Sequence, residues 1–541
     1  MEEKKSKIGI NILLLFLLIY IFFMSGHMGG DSLWIYFNVE SIVLDGNLDL
    51  NDHPDKVFNI KELESAYQNI INSPKTDENK LILPYGIGLV VFEMPFFIIG
   101  YLFSYILHFI PRDYVTMFFT SMINCFICSL LCYCFFKICK LFNFSDRISV
   151  WLTFAFGLGS LVFPYSRQGY LEPLATLSLL GTVYLLLLFF KSNKYKSIIL
   201  GGIFLGIGVL TRFDILIYLP FLFLYIFFKD KNIFKFLRNA ALFSFPILIA
   251  VIIYFIYNFI RYGEYTNIGP QADHFFLAFS FATPITYIAN IFTLFLSSGT
   301  GIIIYMPVIV LILWSIRYFF KNYLFESLLF SGFILVNVFF YSTVPNVYNY
   351  VARFSWGPRY SFVIIPYLFL PIGFLLINNF HRLLFRILFK FLVCLSVLFQ
   401  LPSILVNSAQ MEHLFQEFFN SSNNVKPAFD MLIYNPNFSP IINGYYQIIS
   451  AFTNILRDYH LYIPIYDAGN SKIISYIPLH NVDFIDIWFA NVLRILDSGI
   501  WFKILVITVI IVLICLISYL AIKITINIDD GEIESKVATN V

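Results

Sequence analysis

The chain has 541 residues, of which 59% are hydrophobic, 20% aromatic and 13% charged, and its formal net charge is +2 at pH 7. An ordinary soluble protein carries roughly 25% charged residues, so this composition excludes a water-soluble fold of this size, and also disorder and coiled coil. The near-neutral balance, with no basic stripe, excludes nucleic acid as a partner. The chain is therefore predicted to be an all-α, multi-pass membrane protein.

The N-terminal segment is predicted to be the first membrane span. Three lysines in the first seven residues precede an apolar run over residues 8–24, and no small-residue cleavage site follows it. This pattern indicates an uncleaved span with its N-terminus in the cytoplasm. The polar stretch 26–85 then forms an outer loop, in which segments 31–45 and 60–71 are predicted to be amphipathic helices along the membrane surface.

The other apolar segments are each long enough to cross the hydrocarbon core, which takes about 20 residues. Their predicted bounds are 114–136, 148–164, 172–190, 197–211, 213–228, 240–260, 302–318, 322–343, 360–378, 387–404 and 500–523. Together with the first span they predict a bundle of about 12 (12–14) transmembrane helices.

Two further apolar segments, 86–110 and 285–298, are interpreted as re-entrant or surface-lying helices. The reason is the distribution of basic residues, which favour the cytoplasmic side. Five basic clusters all become cytoplasmic only if neither segment crosses fully: Lys137/Lys140/Arg147, Lys191/Lys194/Lys196, Lys229/Lys231/Lys235/Arg238, Arg317/Lys321 and Arg382/Arg386/Lys390. Glu93 and Pro95 also disfavour a lipid-facing span in the first of the two segments.

This topology divides the chain into three regions. Residues 1–405 form a transmembrane core that includes the outer loop 26–85. Residues 406–498 form a smaller extracytoplasmic region, and residues 499–541 form the last transmembrane helix with a short cytoplasmic tail. The chain is predicted to lie in the cytoplasmic membrane.

Charged and aromatic residues from distant parts of the sequence fall at the predicted outer membrane face. They are Asp31, Tyr165, Ser166, Arg167, Glu172, Arg212, Asp214, Arg261, Tyr262, Glu264, Arg353, Trp356, Arg359 and Tyr360. Interfacial anchoring explains any one arginine or tyrosine. It explains the set less well, because carboxylates gain little at an interface and Arg212 interrupts a long apolar stretch. Charges at such positions indicate a polar cavity.

The residue types at this face suit chemistry on a phosphorylated lipid. The carboxylates Asp31 and Glu172 suit either a divalent cation or the acceptance of a proton from a hydroxyl. Arginines suit a phosphate, because their forked donors match its oxygens. The combination points to transfer of a group from a lipid phosphate to a hydroxyl acceptor, although transporters of anionic substrates place similar residues near their cavities. His27, four residues before Asp31, is interpreted as a capping or interfacial residue.

Several short motifs occur in order along residues 8 to 405. They are Gly30-Asp31-Ser32 with Trp34 and Tyr36, Glu40-Ser41, Asp45 to Leu50, Leu83-Pro84-Tyr85-Gly86, Tyr170 to Leu174, Gly208 to Arg212, Asn258 to Gly263, Ser298 to Gly301, Tyr305-Met306-Pro307 and Trp356 to Tyr360. In order and spacing this set resembles the motifs of the GT-C glycosyltransferases, integral-membrane enzymes that use polyprenyl-phosphate sugars. This superfamily includes protein O-mannosyltransferases and bacterial aminoarabinose transferases.

The resemblance implies roles for individual residues. Asp31 matches the catalytic carboxylate just beyond the first span, and Glu172 matches a second acidic residue that helps hold metal or acceptor. Arg212 and Arg359 match, more loosely, basic residues near the lipid phosphate. The chain departs from many relatives in having Ser32, where they follow the catalytic aspartate with glutamate, which weakens the case for a tightly bound metal.

The sequence therefore predicts an inverting glycosyltransferase that moves a sugar from a polyprenyl-phosphate donor to a glycan, glycolipid or protein acceptor on the outer membrane face. Asp31 and Glu172 are the predicted catalytic residues, and also the predicted ligands of any divalent cation (Mg²⁺ or Mn²⁺). The other predicted site residues are Arg212, Arg359 and Arg261 for the donor phosphate, and Tyr85, Tyr165, Arg167, Trp356 and Tyr360 for the substrate pocket. The alternatives are a lipid-linked glycan flippase or transporter, and a non-catalytic relative that acts as a scaffold.

Overall fold

The computed structural model of the protein describes residues 2–50, 82–83, 85–265, 283–343, 356–407, 414, 433–457, 461–466, 473–479, 484–495 and 500–539. Eight helices in this part of the chain have the length and apolar composition to cross a membrane: Ile87–Ile106, Arg112–Leu141, Leu171–Ser192, Ile233–Tyr262, Leu324–Ser342, Arg359–Asn379, Leu383–Leu405 and Ile500–Ile528. Many of their large apolar side chains are exposed, as lipid-facing residues must be. The predicted helical, multi-pass membrane protein is confirmed at this level.

The remaining helices are shorter or form parts of broken segments. They are Glu2–Phe23, Asp31–Glu40, Asp146–Leu158, Val162–Tyr165, Tyr195–Thr211, Leu219–Asp230, Pro284–Leu296, Ile302–Tyr305, Ile312–Asn322, Pro440–Arg457 and Trp488–Ile495. Tighter 3-10 turns, Phe213–Tyr218, Pro307–Leu311, Arg359–Ile364 and Pro436–Phe438, interrupt or precede several of them. The last helix continues from Ile500 to Thr539, well beyond the predicted end of its span.

Close packing holds the central helices together. Gly202 of Tyr195–Thr211 lies against the helix Ile233–Tyr262, because a Cβ on Gly202 would come within 2.2 Å of the Phe243 carbonyl oxygen. Thr182 Oγ1 of Leu171–Ser192 donates to the Gly201 carbonyl oxygen over 3.0 Å. Small residues permit this approach in the absence of water-driven association between membrane helices.

The two segments interpreted as re-entrant or surface-lying helices differ in length. Ile87–Ile106 packs antiparallel on the first half of Arg112–Leu141, as the ring pairs Phe96–Phe126 at 5.2 Å and Phe103–Phe119 at 5.0 Å require. It is a continuous 20-residue helix, which is long and apolar enough to cross a membrane. Its re-entrant placement stays a prediction. Pro284–Leu296 has 13 residues, a length of roughly 20 Å that is too short for a hydrocarbon core of about 30 Å.

The outer-loop helix differs from its prediction. Residues 31–45 do form helix, as Asp31–Glu40 followed by a π turn over Ser41–Asp45. Every residue from Ser32 to Glu40 is buried, however, so an amphipathic helix with one wet face is wrong for this segment. The helix packs beneath Ile87–Ile106, with the rings of Tyr36 and Phe97 5.6 Å apart. The predicted helix 60–71 lies outside the described residues.

Two short strands interrupt the otherwise helical chain within the predicted extracytoplasmic region. Tyr462–Tyr466 pairs antiparallel with Ile473–Pro478, in a register that places Tyr462 opposite Pro478. Both strands are rich in isoleucine and tyrosine, residue types that favour extended backbone. The region is therefore mixed in secondary structure, which the sequence interpretation did not anticipate.

Candidate functional site

Asp31 is the first residue of the helix Asp31–Glu40, which follows the first helix, Glu2–Phe23. Gly30 precedes it with φ of +55°, a conformation that favours glycine, and the buried Ser32 closes the turn by donating to the Gly29 carbonyl oxygen over 2.7 Å. The Asp31 side chain is 28% exposed and its Oδ2 is 2.5 Å from Nη2 of Arg359. Burial raises the pKa of Asp31, but Arg359 and a hydrogen bond from Tyr85 outweigh it and hold that pKa below its usual value.

Glu172 joins two arginines from distant segments. It is the second residue of Leu171–Ser192, and its side chain is only 1% exposed. Its Oε1 accepts from Nη1 of Arg212 over 2.9 Å and from Nε of Arg359 over 2.7 Å. Its Oε2 is buried and has no hydrogen-bond partner in the part of the chain that the structure describes. Glu172 therefore holds the two guanidinium groups side by side.

Arg212 lies where the helix Tyr195–Thr211 ends and a 3-10 turn begins. Its backbone is extended, with φ of −145° and ψ of 115°. The guanidinium donates to both Asp214 carboxylate oxygens, from Nε over 3.1 Å and from Nη2 over 2.7 Å, and to the Tyr341 hydroxyl over 3.2 Å. Its carbon Cζ lies 5.1 Å from the centre of the Tyr360 ring. Nearly all of its donor capacity is used within the protein.

We call Asp31, Glu172, Arg212, Asp214 and Arg359 the charge cluster. Three carboxylates and two guanidinium groups give it a formal charge of −1. Buried charges are stable only when paired in this way. Arg359 retains spare donors, because its Nη1 has no hydrogen-bond partner among the described residues, and its side chain is 10% exposed.

Tyr85 contacts the charge cluster directly, whereas Arg261 contacts the backbone of the segment that carries Tyr85. The Tyr85 hydroxyl hydrogen-bonds to Asp31. Arg261 is 1% exposed and its Nη1 donates to the carbonyl oxygens of Leu83 and Tyr85, each over 2.9 Å. Its Nη2 donates to Asn258 Oδ1 over 2.5 Å. The structure therefore places Arg261, predicted at the donor phosphate, where it positions the Tyr85 segment and does not join the charge cluster.

The predicted pocket aromatics divide into two groups. Tyr360 lines the charge cluster and stacks on Tyr341, with ring centres 5.2 Å apart and planes 19° apart. Tyr165 and Trp356 are buried beneath it, and the Tyr165 hydroxyl donates to the Trp356 carbonyl oxygen over 3.1 Å. The Trp356 indole donates to Gln400 Oε1 over 2.9 Å. Tyr165 and Trp356 thus support the site from its core side.

Arg167 belongs to a second polar cluster, which we call the outer network: His27, Arg167, Asp486 and Asn491. Nη2 of Arg167 lies 3.0 Å from Asp486 Oδ2, and Nε2 of His27 lies 2.8 Å from Asp486 Oδ1. Asn491 Nδ2 donates to the same Oδ1 over 2.8 Å. The network ties the first helix to the segment 484–495. Arg167, predicted in the substrate pocket, and His27, interpreted as a capping or interfacial residue, therefore both act as anchors.

The arrangement of Asp31 and Glu172 does not fit a metal held between them. The guanidinium of Arg359 lies between the two carboxylates and contacts both. A divalent cation at that point would meet this positive charge, whereas metal ligands must face the ion with their lone pairs. The described residues contain no group of three or more histidine, cysteine, aspartate or glutamate side chains placed to hold a metal ion.

Sequence reasoning missed two members of the site. Asp214 was recognised at the outer face but not assigned a role, although its spacing of two residues from Arg212 is a usable signal for an ion pair. Tyr341 accepts from Arg212 and donates to Asp214 over 2.5 Å, and no pattern in the sequence connects it with residues more than 120 positions away. Comparisons with protein-family models, curated proteins and solved structures find no match to the chain.

Proposed function

We propose that the protein is a membrane glycosyltransferase that moves a sugar from a polyprenyl-phosphate donor to a hydroxyl acceptor on the outer face of the cytoplasmic membrane. The charge cluster is the observation that carries this proposal. It gathers acids and arginines from four distant segments, and its two arginines and Glu172 are 12% exposed or less. Such a group is costly in a membrane protein unless it serves a polar substrate.

Asp31 is the proposed general base. It is the most exposed member of the charge cluster, so an acceptor hydroxyl can reach it. A hydroxyl is too weak an acid to lose its proton to a carboxylate in advance. The proton therefore passes to Asp31 as the acceptor oxygen bonds to the anomeric carbon. In the same step the bond from that carbon to the lipid phosphate breaks, and the phosphate oxygen keeps the electron pair.

Arg359 is the proposed phosphate-binding residue. The two N–H groups of its Nη1 are not used within the described part of the protein, and charge-assisted hydrogen bonds to the departing phosphate stabilise the charge that develops there. Arg212 is proposed to position Glu172 and, through it, Arg359, because its own donors are bound to Asp214, Tyr341 and Glu172. No metal ion is assigned to this step.

Asp31 and Arg359 are in contact in the structure, and the sugar of the donor is proposed to separate them on binding. The phosphate then meets Arg359 on one side, and the acceptor meets Asp31 on the other, so the attacking and leaving oxygens lie on opposite faces of the sugar. This in-line geometry inverts the anomeric configuration. The predicted extracytoplasmic region 406–498 is proposed to shape the acceptor site, and the acceptor is a glycan, glycolipid or protein.

A second candidate function is transport of a lipid-linked glycan, and the broken helices favour it. Arg212 and Arg359 both lie where a 3-10 turn replaces regular helix, and discontinuous helices at charged sites are typical of transporters. A transporter would move the lipid-linked sugar across the bilayer unchanged. A transferase would release free polyprenyl phosphate.

The proposal is tested by mass spectrometry of envelope glycans and of polyprenyl-phosphate lipids in cells with and without the gene. We expect one sugar modification to disappear and its lipid-linked donor to accumulate. Wild-type protein should restore the modification, and Asp31→Asn should not. Asp113→Asn, which removes a carboxylate that is 42% exposed and outside the charge cluster, should restore it fully. Unchanged glycans in the deletion strain would overturn the proposal.

A further inference from the structure

The exposed face of the helix Pro440–Arg457 is apolar, whereas three of its polar side chains point into the protein. Asn443, Gln447 and Ser450 are buried. The large side chains on the opposite face are 40% to 77% exposed, namely Ile442, Tyr446, Ile449, Phe452 and Leu456. A helix at the surface of a soluble protein instead turns its apolar stripe inward and its polar face to water. The exposed face of this helix therefore fits apolar surroundings.

The helix also lacks charge over nearly its whole length. Residues 440–456 contain no aspartate, glutamate, lysine or arginine, whereas roughly 25% of the residues of a soluble domain are charged. The exposed positions 442, 446 and 449 are three or four residues apart, so they form one continuous stripe. A continuous exposed apolar stripe of this kind marks contact with a membrane or another protein.

The buried side of the helix packs on a transmembrane helix at a break in its hydrogen-bond ladder. Pro402 lies inside Leu383–Leu405 and has no N–H, so the Leu398 carbonyl loses its usual helical donor. The Tyr445 hydroxyl donates to this carbonyl oxygen over 2.7 Å. Gly444 lies directly against the proline, because a Cβ on Gly444 would come within 2.4 Å of the Pro402 Cβ.

This contact fixes the depth of the helix Pro440–Arg457 in the membrane. Leu398 lies seven residues before the end of Leu383–Leu405, roughly 10 Å along the helix axis. The 23 residues of that helix span roughly 35 Å, slightly more than a hydrocarbon core of about 30 Å. The Leu398 carbonyl therefore lies at a depth where water does not reach it, and where a freed backbone group needs a partner from the protein.

We propose that the helix Pro440–Arg457 is inserted into the outer leaflet of the membrane, with Ile442, Tyr446 and Ile449 against the lipid acyl chains. The lipid-facing surface of Leu383–Leu405, where Leu398 is 42% exposed, continues onto this face. The outer leaflet follows from the basic clusters, which are predicted to be cytoplasmic and lie at the other end of Leu383–Leu405. The inference depends neither on the charge cluster nor on the proposed glycosyltransferase activity.

The test is spin-label accessibility in the full-length protein, reconstituted in nanodiscs of phosphatidylcholine and phosphatidylglycerol. Cys394→Ser and Cys515→Ser first remove the two exposed cysteines. A nitroxide is then attached at Ile449→Cys. Ile507→Cys, at an exposed position of the last transmembrane helix, is the lipid reference, and Lys194→Cys, at an exposed position between two helices, is the water reference. Relaxation by oxygen, which concentrates in lipid, is compared with relaxation by nickel-EDDA, which stays in water.

We expect the ratio of oxygen to nickel-EDDA relaxation at position 449 to match the ratio at position 507 and to exceed the ratio at position 194. A ratio equal to that at position 194 would show that this face lies in water. Exclusion of both agents would show that a second copy of the chain or another protein covers it. Either result would overturn the proposal.

A double-mutant cycle tests the contact that sets the depth. Tyr445→Phe leaves the Leu398 carbonyl oxygen without its donor and should lower the melting temperature. Pro402→Ala restores an N–H at the position that serves this carbonyl, so Tyr445→Phe should lower the melting temperature less in that background. Tyr446→Phe, which removes a hydroxyl from the exposed face, is the control and should change little in either background. Equal losses for Tyr445→Phe in both backgrounds would contradict the depth assigned to the helix.

Discussion

Arg359 is the residue on which the geometry of the charge cluster depends most, because it contacts both Asp31 and Glu172. Arg359→Ala should raise KM for the lipid donor by about tenfold or more, the loss expected for a hydrogen bond to a charged group, while KM for the acceptor changes less. Arg359→Lys should rescue only partly, because an ammonium group cannot make the forked contact. Steady-state kinetics with both substrates varied decides this.

Arg212→Ala provides the contrast. Its donors are bound within the protein, and removing one partner of a buried ion pair costs about 3 kcal/mol or more. The variant should therefore lower the melting temperature without a selective effect on donor KM, whereas Arg359→Ala, which also breaks ion pairs with Asp31 and Glu172, should in addition raise donor KM. A selective donor effect for Arg212→Ala in a protein of unchanged stability would reverse the roles assigned to the two arginines.

The outer network attaches the segment 484–495 to His27 and Arg167. Burial of the imidazole lowers the pKa of His27. The charge of Asp486 and its hydrogen bond to His27 raise this pKa by more, so it lies above its usual value. The protonated imidazole is thus favoured in the folded protein. Its contribution to stability is full below the unfolded value of about 6.5 and is lost as the pH rises through the folded value.

We therefore expect the wild-type melting temperature to fall, relative to that of His27→Gln, as the pH is raised from about 6 to 8. Thermal unfolding of the purified protein across this range measures the difference. His108→Gln, a change at a ring that packs edge-on against Phe109 and lies outside the outer network, serves as control and should keep the wild-type dependence. Parallel pH curves for wild type and His27→Gln would refute the role of the ion pair.

Local sequence predicted some elements well and others poorly, for physical reasons. Apolar runs identified most helices, because a span must satisfy its backbone internally and cover itself with apolar side chains. The helix Asp31–Glu40 was misjudged as amphipathic, since its polar residues Asn38 and Glu40 are buried by other parts of the chain. Asp31, Glu172 and Arg359, which the sequence predicts at one membrane face, lie in contact in the structure. The ion pairs between them depend on segments hundreds of residues apart, and no local pattern encodes them.

At the scale of the whole molecule, the orientation in the membrane follows from the basic clusters. Reporter fusions after residues 140, 194, 232 and 386 should all report the cytoplasm, and a fusion after residue 450 should report the outer side. This assignment of loops to the two sides of the membrane requires that the helix Ile87–Ile106 does not cross the membrane fully. Fusions at 140 and 194 that report the outer side would show that this helix crosses and that the charge cluster needs a new assignment of side.

The most direct test of Asp31 as the general base is the transfer rate of purified Asp31→Asn protein, with the donor lipid and acceptor that glycan mass spectrometry identifies. The substitution keeps the shape of the side chain but removes its charge, and the amide cannot accept a proton at neutral pH. Turnover should fall by about two to four orders of magnitude, the usual contribution of general base catalysis, a larger effect than the loss of the Asp31–Arg359 ion pair has on donor binding. A well-folded Asp31→Asn protein with wild-type turnover would contradict the proposed mechanism, because the acceptor's proton would then have to leave by another route.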